Sequence, residues 1–256
     1  MTHSAAKKIA DRGGVVRVGL LGCGHVGSAL VRLIEGHADS FEARAGVKIE
    51  VAKVAVRNLA KERDVDLDAD RFTHDADEVV IDPSIDLIVE VIGGIEPART
   101  LILTALAAGK PVVTANKELL ANFGRELFET AEANGVDLLF EASVCGGIPL
   151  LRPLRESLAG DRIRRITGIV NGTTNFVLTR MTESGMSFHE ALAEAQSLGY
   201  AERDPTADVE GFDAAAKAAI LASIAFGAKV VAGDVYSEGI SAVSPSDETK
   251  RPSSAS

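Results

Sequence analysis

The stretch "VVRVGLLGCGHVGSAL" (Val15–Leu30) decides the fold of the first half of the chain. It opens with a short apolar run whose length is typical of a buried strand, and helical periodicity follows. Between them, Gly22, Gly24 and Gly27 stand in a GxGxxG spacing. In such a turn the first glycine permits a tight bend, the second lets a pyrophosphate approach the backbone, and the third lets the helix pack on the strand. A glycine turn can also serve only to redirect the chain, but its place between a strand and a helix favours dinucleotide binding.

The start of the helix after this turn completes the predicted phosphate site. His25 and Val26 lie between the second and third glycines of this turn, next to the start of the predicted helix. The helix macrodipole also favours negative charge at this end. We therefore expect the cofactor to be bound by five residues of this stretch: Gly22, Gly24, His25, Val26 and Gly27.

Strands and helices alternate along the rest of the first half. Apolar runs predict a first strand at Val15–Leu21 and later strands at Ile49–Val56, Asp86–Ile92, Pro111–Thr114 and Val136–Phe140. Helical spacing predicts helices at Ser28–Ile34, Pro97–Ala108 and Lys117–Asn134. This alternation predicts an α/β fold with a Rossmann-type, doubly wound parallel sheet that carries helices on both faces.

The end of the second strand should recognise the adenosine ribose of the cofactor. An acidic residue there favours NAD through the ribose 2′-hydroxyl, whereas a basic residue accommodates the 2′-phosphate of NADP. The strand ends "VAVRN", which offers Arg57 and no carboxylate. The sequence therefore predicts NADP, with NAD as a possible second cofactor; the alternative for Arg57 is an ordinary exposed side chain.

Two further loops follow strands on the edge where such sheets bind ligands, the carboxyl ends of the strands. "EVIGG" ends the third strand with Gly93 and Gly94, which suit a close approach of the cofactor. "VVTANKELLA" places Thr114, Asn116 and Lys117 just after the fourth strand, as further candidates for cofactor binding. Lys117 could also reach a substrate carboxylate. The alternative is a solvated lysine at a helix start, which is disfavoured because a cation there opposes the macrodipole.

The composition excludes several classes of function. The 256-residue chain has a formal charge of −10 and no Lys/Arg block, which argues against nucleic acid as a partner. No apolar run approaches the roughly 18 residues of a membrane span, and the N-terminus has no signal core, so we expect a cytoplasmic protein without membrane contact. Two cysteines outside any CxxC pattern fit a reducing compartment. The five scattered histidines argue against a zinc enzyme.

The pattern changes in the second half of the chain. A strand is predicted at Ile163–Val170, and helices are predicted at Thr174–Ser184, Ser187–Leu198 and Thr206–Phe226. We expect a dinucleotide-binding domain at 15–147, followed by a smaller α+β catalytic and dimerisation domain at 148–243. The remaining residues are expected to form an N-terminal extension (1–14) and a Ser/Pro-rich, disordered tail (244–256).

The most specific segment of the chain is "AQSLGYAERDPTADVEGFDAAAK" (Ala195–Lys217). It concentrates five acids within twelve positions: Glu202, Asp204, Asp208, Glu210 and Asp213. Taken alone, Asp213 and Lys217 fit an i,i+4 helix pair worth about 0.3–0.5 kcal/mol. Five acids with few bases nearby indicate instead that several of them face solvent or a cationic ligand.

This segment resembles the signature of the homoserine dehydrogenase family, whose members interconvert aspartate 4-semialdehyde and homoserine. The match runs A-x3-G-Tyr-Ala and then D-P-x2-D-Val-x-G-x-D-x3-K. Four other blocks are similar to that family, in the family's order: "LLGCGHVGSAL", "VVTANKELLA", "EASVCGGIPLL" and "GIVNGTTNFVL". The resemblance extends over about Val15–Ser244.

The resemblance implies three catalytic residues. Lys217 matches the family's proton-donating lysine, near the carbonyl that receives hydride. Asp213, one helical turn earlier, matches a residue that holds substrate and orients that lysine. Lys117 matches a lysine between the nicotinamide and the substrate.

The resemblance also implies a substrate site and a cation site. Glu202 matches the carboxylate that binds the substrate ammonium, and the same acidic pocket is implied to contain Asp208, Asp213, Lys117, Gly199 and Tyr200. An amino acid aldehyde offers an ammonium and a carboxylate, so acids suit the first group and a lysine suits the second. A monovalent cation, typically sodium, is implied to bind largely through backbone carbonyls in a loop that contains Glu141, Val144, Gly146 and Ile148.

The function implied by the resemblance is an NAD(P)-dependent oxidoreductase of threonine, methionine and isoleucine biosynthesis, which forms a homodimer if the second domain is complete enough. Family members usually continue beyond this length, and many add a threonine-sensing ACT domain. We expect this chain to lack that feedback and to have an incompletely packed second domain. Two alternatives stay open: a truncated, non-catalytic NADP-binding fragment, and a semialdehyde-phosphate reductase, which would need a nucleophilic cysteine with a partner histidine.

Overall fold

The computed structural model describes Ile9 and residues 13–146 and 148–244 of the chain. The chain divides into two compact units between Ile148 and Pro149. Most of the predicted N-terminal extension (1–14), and all of the predicted disordered tail except Ser244, lie outside the described residues. Within the described part of the chain, no helix combines the length and the apolar content that crossing a membrane requires.

The first unit is built on a six-stranded parallel sheet. Its strands are β1 (Val15–Leu21), β2 (Lys48–Ala55), β3 (Phe72–Thr73), β4 (Leu87–Glu90), β5 (Val112–Thr114) and β6 (Leu138–Leu139). They lie in the order β3-β2-β1-β4-β5-β6, and every neighbouring pair is parallel. The strand order reverses between β1 and β4, which is where ligands bind in doubly wound sheets. The predicted Rossmann-type sheet is therefore confirmed.

Helices flank this sheet, and most of them bury apolar residues. They are α1 (His25–Gly36), α2 (Ala38–Ala45), α3 (Ala76–Ile81), α4 (Ala98–Ala107) and α5 (Lys117–Ala133), with 3-10 turns at Ala69–Arg71 and Glu141–Ser143. Val31 and Ile34 of α1 share one buried cluster with Val18, Val51 and Val89 of the sheet. Each such aliphatic side chain contributes about 1.5–3 kcal/mol when it is fully buried. An aliphatic core of this kind fits a chain with only 4% aromatic residues.

The second unit is helical in its described residues. Its helices are α6 (Gly172–Ser184), α7 (Phe188–Ser197), α8 (Thr206–Val209) and α9 (Phe212–Phe226), with a π-helical turn at Pro153–Ser157 and a 3-10 turn at Ala232–Asp234. Val177 and Met181 of α6 pack against Ala191 and Ala195 of α7 in the core of this unit. Helix α7 begins with a capping box, which the S-x-x-E pattern predicts. In it, Ser187 and Glu190 exchange hydrogen bonds between side chain and backbone.

Two expectations for this unit are wrong. Residues 163–170, predicted as a strand, are mostly exposed and form no strand, because no strand among the described residues of the unit lies beside them to complete a ladder. The helix predicted as continuous over Thr206–Phe226 is interrupted at Gly211, which adopts a left-handed backbone with φ of 82° and divides α8 from α9.

Candidate active site

The turn after β1 has the geometry that the glycine spacing predicts. Gly22 has φ of 100°, and a Cβ there would lie 3.0 Å from the carbonyl oxygen of Val91. A Cβ on Gly27 would lie only 2.2 Å from the carbonyl oxygen of Gly22, so any side chain would force α1 away from the turn. Both positions therefore need glycine, the first for its backbone conformation and the second for close packing.

Gly24, the second glycine of the turn, borders open space. A Cβ on Gly24 would meet no atom within 4 Å, so the backbone here is accessible to a ligand. Gly24 is also the N-cap of α1, and no side chain caps this helix. His25 is exposed, and Val26 is 60% exposed, at the first two helical positions. Accessible N–H groups at a helix N-terminus form an anion site, and this cradle fits the pyrophosphate of a dinucleotide.

Arg57 lies two residues beyond the end of β2 and is exposed. The turn after β1 is tied to this strand end, since the backbone N–H of Gly22 donates to the carbonyl of Ala55 over 3.0 Å. A guanidinium at this edge suits a ribose 2′-phosphate.

The loops after β4 and β5 place their predicted residues in two different ways. Gly93 and Gly94 have φ of 79° and 73°, and a Cβ on either would meet nothing within 4 Å. Lys117 is exposed as the first residue of α5. Thr114 and Asn116 are buried instead, with exposures of 0% and 5%, and their side chains bond within the protein. They shape the loops that border the dinucleotide edge.

Three side chains of the acidic segment, those of Asp208, Asp213 and Lys217, form a hydrogen-bonded cluster with Asn171. The Nδ2 group of Asn171 donates to Asp208 Oδ1 over 2.7 Å and to Asp213 Oδ2 over 2.8 Å. Asn171 Oδ1 accepts the backbone N–H of Thr174 over 2.8 Å, which fixes the orientation of the amide. One buried amide thus holds two carboxylates side by side, and Asp213 itself is only 4% exposed.

Lys217 completes this cluster. Its Nζ donates to Asp213 Oδ2 and to the carbonyl of Val170, both over 2.6 Å. The side chains of Lys217 and Asp213 are 15% and 3% exposed, so the pair differs from a solvated helix pair. An ammonium has three donors, and two are directed at these acceptors within the described residues. The third is then available to a ligand that enters the cluster.

The remaining acids of the segment serve other contacts. Hydrogen bonds from the hydroxyl and the backbone N–H of Thr206 hold the pKa of Asp204 below its usual range. Glu210 accepts from the hydroxyl of Ser241 over 2.8 Å. Glu202 is exposed, and its backbone carbonyl accepts from Gln196 over 3.1 Å. Only Asp208 and Asp213 of the five acids therefore bond to Asn171.

The segment before Glu202 is shaped by a glycine and an aromatic contact. Gly199 has φ of 77° and follows α7. Tyr200 is 58% exposed, its ring lies 5.1 Å from that of Phe176, and its carbonyl accepts from the hydroxyl of Thr173 over 2.7 Å. These contacts attach the start of the acidic segment to α6, the helix that Asn171 caps.

The loop implied to bind sodium is strongly curved. Cys145 and Gly146 have φ of 58° and 40°, and the N–H of Ile148 bonds to the carbonyl of Gly146 over 2.9 Å. A carbonyl has two lone pairs, so this bond leaves Gly146 able to accept a cation. Among the described residues there is no group of three or more His, Cys, Asp or Glu that could hold a metal. The loop would have to use carbonyl oxygens and Glu141, which suit a hard cation.

Comparisons with known proteins find the same family in both halves of the chain. A family model described as "Homoserine dehydrogenase, NAD binding domain" matches residues 22–141, and one described as "Homoserine dehydrogenase" matches residues 149–255. The homoserine dehydrogenase of Mycobacterium tuberculosis strain H37Rv is 53% identical over 232 residues, 91% of this chain. That of Bacillus subtilis is 49% identical over the same share. The chain belongs to the homoserine dehydrogenase family.

Solved structures of homoserine dehydrogenases superimpose well on the chain. The enzyme from Thiobacillus denitrificans gives a TM-score of 0.84 at 47% identity, covering 91% of this chain and 54% of the other. A hyperthermophilic archaeal homoserine dehydrogenase in complex with NADPH gives 0.75 at 30% identity, covering 90% and 75%. The chain spans about half the length of the curated relatives it matches, 52% of the mycobacterial and 54% of the Bacillus protein.

Sequence reasoning missed two buried polar residues, one in the side-chain cluster and one beside the glycine loops. Asn171 lies in "GIVNGTTNFVL", which resembles a homoserine dehydrogenase block, but turns use the same residue types. Glu90 ends a strand that otherwise reads as an apolar run, and a lone acid in a buried strand was the available signal.

Proposed function

We propose that the chain is a homoserine dehydrogenase that interconverts L-homoserine and L-aspartate 4-semialdehyde by hydride transfer with NADP(H). The observation that carries this proposal is the cluster of Lys217, Asp213, Asp208 and Asn171. A buried ammonium–carboxylate pair held by a second carboxylate and an amide is unusual as a stabilising device, since such pairs contribute little net stability. It suits acid–base chemistry on a polar substrate.

The proposed cofactor fits the first unit. Gly22, Gly24 and Gly27 form the phosphate cradle, and Arg57 is the candidate for the 2′-phosphate that would favour NADP over NAD. Gly93, Gly94 and the turn at 114–117 would border the nicotinamide end, where Lys117 is the proposed contact between nicotinamide and substrate. The bound nicotinamide supplies or accepts the hydride.

The proposed role of Lys217 is to move the proton that balances the hydride. In the reducing direction, hydride adds to the aldehyde carbon, and the developing alkoxide takes a proton from the Lys217 ammonium to form the hydroxyl of homoserine. Asp213, bonded to Lys217 over 2.6 Å, orients the amine. Glu202, Asp208, Gly199 and Tyr200 are the proposed contacts of the substrate, with a carboxylate for its ammonium group.

Several further features rest on family membership rather than on geometry. We propose a sodium ion at Glu141, Val144, Gly146 and Ile148 with a structural role, a homodimer, a cytoplasmic location and a place in threonine, methionine and isoleucine biosynthesis. We keep the domain assignment of 15–147 for dinucleotide binding and 148–243 for substrate binding. Replacing sodium by choline in the buffer should lower the thermal stability if the cation site is correct.

Homoserine oxidation by the purified chain tests the proposal directly. NADPH and NADH formation are followed by absorbance for the unsubstituted chain, for Lys217→Ala and for Lys229→Ala, which removes an exposed lysine from the same unit. We expect Lys217→Ala to lose roughly a hundredfold or more in turnover, and the control to lose none. Unchanged turnover in Lys217→Ala would remove the proposed acid.

The alternative to this proposal is a binding-only role. It predicts NADPH binding, measured by fluorescence, without homoserine-dependent reduction of NADP. Turnover that depends on homoserine excludes this candidate.

A further inference from the structure

A buried carboxylate lies beneath the dinucleotide edge and has no part in the function proposed above. Glu90 is the last residue of β4 and is 0% exposed. Its Oε1 accepts hydrogen bonds from the backbone N–H groups of Ile92 over 2.8 Å and Gly93 over 3.1 Å. Its Oε2 accepts one from the hydroxyl of Thr114 over 2.6 Å. A carboxylate is costly to bury, so these bonds to both oxygens offset a large desolvation penalty.

The hydrogen bonds continue from Glu90 into the second loop. Thr114 Oγ1 accepts the backbone N–H of Asn116 over 3.0 Å. Asn116 Nδ2 donates to the carbonyl of Gly94 over 2.6 Å, which closes a ring of bonds between the two loops. Asn116 Oδ1 also caps α5 by accepting the N–H of Leu119 over 3.1 Å. The loop after β4, the turn after β5 and the start of α5 are thus held by one network.

The network needs a carboxylate at position 90. Both oxygens of Glu90 act as acceptors, one toward its own loop and one toward Thr114. A glutamine could accept on only one side, and its amide N–H would have to donate to Thr114 Oγ1, which reverses that bond and removes its charge. An apolar residue would leave the N–H groups of Ile92 and Gly93 without this partner, at a cost comparable to a lost hydrogen bond for each.

We propose that Glu90 is a positioning residue of the dinucleotide site. Its carboxylate holds the 92–94 loop and the 114–117 turn in a single arrangement, in which both present their backbone groups to the nicotinamide end of the cofactor. This inference rests on the proposed function, because it takes this edge of the sheet as the dinucleotide edge. A substitution that makes one loop more mobile should therefore make the other loop more mobile as well.

The test uses near-isosteric variants and a readout that does not need the cofactor. Thr114→Val removes the hydroxyl at constant size, Thr114→Ser keeps it, and Glu90→Gln removes one acceptor. We expect amide hydrogen exchange at 92–94 and at 115–117 to accelerate together by about tenfold in Thr114→Val, where a buried bond is lost, and in Glu90→Gln, where the charge-assisted bonds to the carboxylate are lost. The dissociation constant for NADPH should rise by about tenfold in the same variants. Thr114→Ser should restore both quantities.

A matched control separates positioning from a general loss of stability. Asp82 lies five residues before the start of β4 and also has a carboxylate bonded to a backbone N–H, that of Ser84 over 2.7 Å. Asp82→Asn should lower the stability toward urea but leave loop exchange and the NADPH dissociation constant unchanged. If Asp82→Asn weakened NADPH binding as much as Glu90→Gln, the positioning role would be overturned.

The outcomes distinguish this inference from the proposed function. Normal exchange and unchanged NADPH affinity in Glu90→Gln would overturn the role of Glu90 and leave the proposed function standing. If the unsubstituted chain bound no NADPH, the proposed function would fail and the inference would fail with it. If Glu90→Gln did not fold, the contrast between Thr114→Val and Thr114→Ser would decide, and equal behaviour of these two variants would count against the inference.

Discussion

The two units build their candidate sites from different parts of the polypeptide. In the first unit the surface offered to a ligand is mainly backbone, at Gly24, Gly93 and Gly94, where a Cβ would meet nothing within 4 Å. In the second unit the site consists of side chains, and the amide of Asn171 bonds to carboxylates 37 and 42 residues later in the sequence. A backbone site depends on local spacing, whereas a side-chain site depends on long-range packing. Substitutions in the two sites should therefore have different effects on stability and on ligand binding.

The largest effect should come from adding charge to the side-chain site. Asn171→Asp puts a third carboxylate beside Asp208 and Asp213 and removes the donors that both accept from. We expect the free energy of unfolding of the second unit to fall by about 3 kcal/mol, measured by urea denaturation, and turnover to be lost. Asn175→Asp, at an exposed position of α6, is the control. NADPH binding should persist in both variants. Its loss in Asn171→Asp would contradict the view that the two sites respond independently to substitution.

The backbone site should respond to a single methyl group. Gly27→Ala places a Cβ 2.2 Å from the carbonyl of Gly22, so α1 must shift, and we expect a loss of about 2 kcal/mol in stability together with weaker NADPH binding. Gly24→Ala meets no protein atom within 4 Å, so it should keep the stability and weaken NADPH binding alone. Calorimetry and fluorescence titration measure the two effects. A Gly24→Ala variant that binds NADPH normally would contradict the proposed pyrophosphate contact.

Acid should destabilise the first unit through the carboxylate of Asp82. The stability of this unit therefore depends on side chains as well as on its backbone. Burial acts to raise the pKa of Asp82, but hydrogen bonds from Ser84 and Lys53 outweigh it and lower the pKa from 3.8 to about 2. The carboxylate stabilises the fold above pH 4, and this contribution, about 2 kcal/mol, is lost as the pH falls toward 2. Urea denaturation across this range checks the slope. In Asp82→Asn the slope should be smaller, and an identical slope would show that another group is responsible.

The smallest effect should concern the choice between cofactors. Arg57→Ala should reduce the preference for NADPH over NADH by about fivefold, the size of an exposed charge contact. The ratio of the two dissociation constants measures this change. Lys61→Ala, which removes an exposed cation from the same loop, should leave the ratio unaltered. A shift of equal size in the control would mean that net charge, rather than a 2′-phosphate contact, sets the preference.

The geometry of the glycine turn could be predicted from the sequence because its signals are local. The strand at Val15–Leu21 has the predicted bounds, and the helices predicted at Pro97–Ala108 and Lys117–Asn134 differ from α4 and α5 by one residue at the ends. The glycine spacing predicted a turn in which two of the three positions exclude any side chain. Periodicity missed α2 and α3, which are short and have few or no buried residues on one face.

The side-chain site was only partly predictable. Asp213 and Lys217 are one helical turn apart, so their pairing follows from the sequence. The amide that joins Asp213 to Asp208 comes from 42 residues earlier, and no periodicity reports such a contact. The prediction of a strand at 163–170 is wrong for the same reason. A strand needs a neighbouring strand as its hydrogen-bond partner, and the local sequence pattern does not show whether one is present.

The left-handed residue at Gly211 has a geometric consequence for the acidic segment. In an uninterrupted helix, residues five apart are rotated by about 140° around the axis, so Asp208 and Asp213 would point to different faces. The reversal of backbone handedness between α8 and α9 lets both carboxylates reach the same amide. A Cβ at this position would also lie 3.2 Å from the carbonyl oxygen of Glu238. The left-handed conformation of one glycine thus determines whether two acids of this segment share a hydrogen-bond donor.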